Sequence, residues 1–162
     1  VRPSVHVRLG AATAVAVALL GAGGCGGDDD PYAIPEEFRA YCEEVETQQR
    51  PITDALASGG ETSGLIRALP SFEELAAEAP DDIADEWEVI VERIDDLVDA
   101  LDAAGVDPDT YDRRNPPAGL DPEQRDAIDA AARALVSTTT GAAMSGVQQQ
   151  ARDVCKTPLA LS

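Results

Sequence analysis

The chain has one histidine, His6, one tryptophan, Trp87, and only 12 basic residues against 31 acidic ones. Each scarcity excludes something. Beyond residue 24 no imidazole remains, which removes Ser-His-Asp and Cys-His catalysis and the usual histidine zinc and haem sites. A net charge of -19 repels nucleic acid and other phosphate-rich polymers before contact, while a cation or a basic partner stays compatible with it. Aromatic residues make up 4% of the chain, so the six beyond the start (Tyr32, Phe38, Tyr41, Phe72, Trp87 and Tyr111) cannot line a deep sugar cleft. Glu88 and Glu92, one helical turn apart as two acids of a glycoside hydrolase could be, are therefore read as solvated surface. No Cys-x-x-Cys pair and no repeat of 20 to 50 residues is present.

What the sequence does contain is concentrated first at its start. Arg2 and Arg8 precede an apolar run, Ala11 to Ala22, that suits a translocon but is short for a bilayer span. The run ends in Leu19-Leu20-Gly21-Ala22-Gly23-Gly24-Cys25, which resembles the lipobox of bacterial lipoproteins, with Ala22 where a branched aliphatic residue is usual. The resemblance implies that residues 1–24 are a cleaved signal peptide and that Cys25 is lipid-attached. An ordinary secretory signal, with Cys25 left as a free thiol, is the other reading. Removing residues 1–24 with their two arginines takes the net charge from -19 to -21. Residues 25–35 read as a tether: Gly26 and Gly27 give flexibility, Asp28 to Asp30 repel anionic headgroups, and Pro31 and Pro35 stiffen the exit.

The rest is read as one all-α domain, residues 36–158, a bundle of about four to five helices followed by a tail at 159–162. The 44% apolar content includes much alanine, so the core should be thin. Phe38, Tyr41, Cys42 and Val45 share a helical face, with Ile52 and Leu56 continuing it past a kink or break at Pro51. Residues 58–64 read as a loop, and a short helix with Leu65, Ile66 and Leu69 should end at Pro70. Ser71 and Glu74 then resemble a capping box that opens a new turn burying Phe72 and Leu75. Ile83, Trp87, Ile90, Ile94, Leu97, Leu101 and Ala104 recur at steps of three and four, so they lie on one side of a helix closed by Gly105. Asp121, Pro122 and Gln124 cap a further helix that buries Ile128, Ala132 and Leu135. After a break at 137–140, the last stripe is Met144, Val147, Ala151 and Val154.

Cys42 and Cys155 fall beside the first and last stripes, and in an oxidising compartment they are expected to form a disulfide. Asp107, Asp109 and Asp112 supply oxygen ligands in one loop, but without the central glycine and closing glutamate of an EF-hand, so no metal site and no cofactor are expected. Tyr111, beside Arg113 and Arg114, is the aromatic expected at the surface as a partner contact. The Gly-Gly-Cys-Gly-Gly start, Tyr41-Cys42 and Asp153-Val154-Cys155 make the chain similar to the small helical lipoproteins of high-GC Gram-positive bacteria, as do the Val1 start and the Ala, Asp and Gly bias. That resemblance implies lipid anchorage on the outer face of the cell membrane and little about mechanism; the leading expectation is a non-catalytic protein that binds or scaffolds an envelope partner, an enzyme being confined to carboxylate-only chemistry. The alternative is a small-ligand or divalent-cation binding protein of the same compartment.

Overall fold

The computed structural model describes residues 33–58, 61–112 and 114–161. The expected signal peptide, Cys25 and most of the expected tether lie outside the described residues. A 3-10 turn, Glu36–Phe38, leads into α1 (Arg39–Ser58), followed by α2 (Glu61–Ala77), α3 (Ala84–Ala103), α4 (Pro122–Leu135) and α5 (Thr138–Asp153). The domain is all-helical, with no strand among the described residues, and it is a small bundle.

Periodicity explains why α3 stands at the centre. Trp87, Ile90, Ile94, Leu97 and Leu101 are each fully buried, and α2, α4 and α5 all pack against this helix. Val91 and Val98 are half-buried, which widens the stripe enough to serve several neighbours. The helix ends in a Schellman motif: Gly105 takes φ +68°, its N–H donates to the Asp102 carbonyl, and the Val106 N–H donates to the Leu101 carbonyl. The start of α4 has its capping box, with Asp121 Oδ1 accepting from the Gln124 N–H at 2.8 Å and Gln124 Oε1 accepting from the Asp121 N–H at 3.1 Å. Ser137 caps α5 in turn, accepting from the Thr140 N–H.

Both prolines behave differently from the sequence expectation. Pro51 lies inside a continuous α1 and Pro70 inside a continuous α2, so there is no capping box at Ser71, which is itself buried in mid-helix. An internal proline costs about 3 kcal/mol, whereas each fully buried Phe or Leu returns roughly 1.5 to 3 kcal/mol. Phe72 and Leu75, downstream of Pro70, are buried on the same helix as Ile66 and Ala68, and this continuous stripe outweighs the missing bond. Pro51 sits on the exposed face, where the carbonyl it leaves unpaired at Thr47 meets solvent. Much of the expected loop at 58–64 is helical, since Ser58 ends α1 and Thr62, Ser63 and Gly64 belong to α2. Gly64 lets α2 close on α1: a Cβ there would lie 3.2 Å from Leu56 Cα. Leu56, expected in the stripe, is 39% exposed, and Met144 and Val154 are only half-buried.

Candidate functional site

Trp87 joins three helices. Its Nε1–H donates to the Tyr41 hydroxyl of α1 at 3.0 Å, and its ring meets Phe72 of α2 with centroids 5.7 Å apart. Burial pushes the Tyr41 hydroxyl above its usual pKa; the Trp87 hydrogen bond acts against that rise and the charge of Asp82 adds to it. Both side chains are packed into the core, so they hold the scaffold and offer nothing to a ligand.

Cys42 and Cys155 are bonded to each other with their Cα atoms 5.1 Å apart, and both are buried. The bond fastens the beginning of α1 to the residue just beyond α5. Such bonds persist in oxidising compartments outside the cytoplasm. Among the described residues no helix is long and apolar enough to cross a membrane.

The three loop aspartates are spent on building turns. Asp107 accepts from the Asp109 N–H at 2.9 Å, an Asx-turn, and its carbonyl accepts from Thr110. Asp112 accepts from the Arg114 N–H and from Asn115 Nδ2, both at 2.8 Å, and these hydrogen bonds, the Asn115 side chain first, hold its carboxyl below the usual carboxylate range. Asp109 faces Arg67, whose Nε lies 3.5 Å from the carboxylate and whose Nη2 donates to the Asp109 carbonyl at 2.9 Å. Arg67 also donates to the Ser58 carbonyl, so it pins the loop after α3 to the end of α1. Among the described residues no three His, Cys, Asp or Glu side chains converge to hold a metal ion. Tyr111 departs from the expectation of exposure: it is 6% exposed and belongs to the core, because the Asp107 turn and the Arg67 anchor fold this loop back over the bundle.

A concave feature of the surface lies on α3. An open groove of about 420 Å³ has a floor of Ala76, Ala84 and Val91 and a rim of Glu88, Glu92, Asp95 and Asp96. Glu88 and Glu92, a turn apart in the sequence, thus share one site. Arg93 partly neutralises the rim, reaching Asp96 at 2.6 Å and Glu92 at 3.4 Å. Asp95 stays in a negative setting: partial burial, then the charges of Asp99 and Asp96, raise its carboxyl above the usual carboxylate value. An apolar floor under a mostly acidic rim can seat the methylene stems of a basic segment with its charges outward. The floor was not legible in the sequence, since Ala76 and Ala84 come from either side of the α2–α3 connection and meet only when the helices pack.

No family model matches the chain, and neither does any curated protein or any solved structure.

Proposed function

We propose that the chain is a lipid-anchored protein of the outer face of the cell membrane, whose helical domain is a non-catalytic binding or scaffold module for an envelope partner. The Cys42–Cys155 bond carries the reading, since a buried disulfide suits an oxidising compartment and the lipobox-like run ending at Cys25 supplies a route to it. Two or more acyl chains make the attachment stable, at about 0.8 kcal/mol for each buried methylene. The acidic charge favours a partner that is basic, and the α3 groove is its contact surface on this reading. The intact mass of the membrane-extracted protein tests it. A mass exceeding that of residues 25–162 by a diacylglycerol and its acyl chains supports the reading, and its loss from membranes on Cys25→Ala follows. A mass equal to the amino acids alone, or an uncut leader, defeats it.

The acidic rim around Asp95 favours a second reading, a receptor for a small cationic solute, whereas no three of its carboxylates converge as a metal site would require. A thermal-shift series with calcium and with diamines separates the two. A rise of several degrees in Tm supports the receptor, because a ligand that binds the native state alone stabilises it by mass action.

A further inference from the structure

The residues after α5 do not trail into solvent. Lys156, at φ +60°, turns the chain out of the helix, and the next residues run along α1. Cys155 is bonded to Cys42. Gln49 Nε2 donates to Thr157 Oγ1 at 2.9 Å and to the Pro158 carbonyl at 2.6 Å, and the Leu161 N–H donates to Thr53 Oγ1 at 2.8 Å. Leu159, between these fastenings, is 5% exposed. The partners on α1 advance from 42 to 49 to 53 as those on the strap advance from 155 to 161, so the two run in the same direction. A helix rises roughly 16 Å over that interval, within reach of six residues that would cover roughly 20 Å if fully extended, and bends along the strap take up the difference. Val45 and Ile52 fall on the same face of α1 and are fully buried, although α1 and α5 share no extended packing face. Leu159 belongs to the same core cluster as Val45 and Ile52, so the strap adds apolar cover beside α1.

We propose that residues 155–161 form a redox-gated clasp: reduction of the Cys42–Cys155 bond frees the strap from α1 as a unit and uncovers the apolar face around Val45 and Ile52, while the five helices stay folded. The inference rests on the disulfide and the strap, not on the lipid anchor. The reductant is a dithiol, a small molecule or an envelope thiol–disulfide oxidoreductase. Its thiolate attacks one sulfur, a mixed disulfide forms, and its second thiol displaces the protein thiol. Two electrons and two protons pass to Cys42 and Cys155, and the reductant leaves as its own disulfide. Both sulfurs are in buried residues, so attack waits for an opening. Lifting the strap breaks its three hydrogen bonds to α1 and exposes Leu159 with the α1 face beneath it, still a smaller event than unfolding the bundle, so it is the more frequent opening.

The test treats the oxidised protein with dithiothreitol at increasing urea, and reads thiol release by maleimide mass-tagging. Local opening gives a reduction rate with little urea dependence, and the Gln49→Ala/Thr53→Val double variant, altered at partly exposed positions, reduces about tenfold faster or more, at roughly fivefold for each hydrogen bond lost. In the reduced protein, hydrogen exchange at the Leu161 amide, which α1 holds through Thr53, should become at least about a hundredfold faster while Trp87 emission is retained. A reduction rate that climbs with urea as steeply as global unfolding overturns the proposal. So does a double variant reduced at the parent rate, or a strap still protected once the thiols are free.

Discussion

Changing Tyr41 to Phe removes a single oxygen atom and keeps the ring, so neither a cavity nor a clash follows. What it does remove is the acceptor 3.0 Å from Trp87 Nε1, in a place where both residues are at most 1% exposed and water cannot take over. A buried donor stripped of its partner costs about 1 to 3 kcal/mol. At roughly 3 to 5 °C for each kcal/mol in a domain of this size, Tyr41→Phe should lower Tm by about 3 to 15 °C. Trp87 is the sole tryptophan, so urea unfolding followed by its emission reports on the altered site itself. A cycle with Trp87→Phe, read by circular dichroism, should show a coupling of about 1 to 2 kcal/mol, because losing the donor as well abolishes the penalty. The alkaline limb carries the same signature. The folded Tyr41 hydroxyl is raised above its ordinary 10.0, so its contribution is complete below pH 10.0 and is lost as pH climbs through the raised folded value. Tyr41→Phe should lack that alkaline decline. A variant within about 0.3 kcal/mol of the parent, or a cycle without coupling, would refute the account of Trp87 as a hydrogen-bonded tie between α1 and α3.

Gly64→Ala pits helix propensity, worth up to about 1 kcal/mol in favour of alanine, against a Cβ placed 3.2 Å from the Leu56 backbone; a helix backbone gives way poorly, so chemical denaturation should show net destabilisation. Lys156→Gly should raise stability by about 0.5 to 1 kcal/mol, because glycine takes the left-handed conformation without the cost lysine bears there, less what the Lys156 Nζ bond to the Asp153 carbonyl contributes; unchanged or lower stability would count against the strain. Asp95→Asn should raise Tm at pH 7 and leave it unchanged near pH 3. The folded carboxyl is raised above its ordinary 3.8, so the stability available below that pH is lost as pH rises through the folded value, and asparagine avoids the loss. Melts at the two pH values check it, and equal gains at both would remove electrostatics as the cause.

The groove and the strap occupy different parts of the domain. One is built on the outward side of α3, the other on α1. A partner bound at the first therefore leaves the second free to respond to thiols. Calcium titration and dithiol titration can be run on one sample and interpreted separately.

Everything that depends on near neighbours in the chain could be read from the residues in order. The stripe from Trp87 to Leu101 and the caps at Asp121 and Gly105 are set by hydrogen bonds and spacings within a turn or two, which tertiary packing had no cause to override. The Cys42–Cys155 bond was legible too, since the two cysteines fall beside the apolar stripes of the first and last helices. Packing decided the rest. Pro51 and Pro70 stay helical because the burial of stripes flanking them exceeds a local penalty, and the size of that burial exists only once α1, α2 and α3 meet. Tyr111 is buried because Arg67, more than 40 residues away, draws its loop inward; Asp107 and Asp112 form turns there while Asp109 pairs with Arg67. The apolar floor at Ala76 and Ala84 and the strap on α1 join residues that no periodicity connects. Local hydrogen bonding wrote the helices into the sequence; long-range burial chose how far each one runs and which surfaces it leaves open.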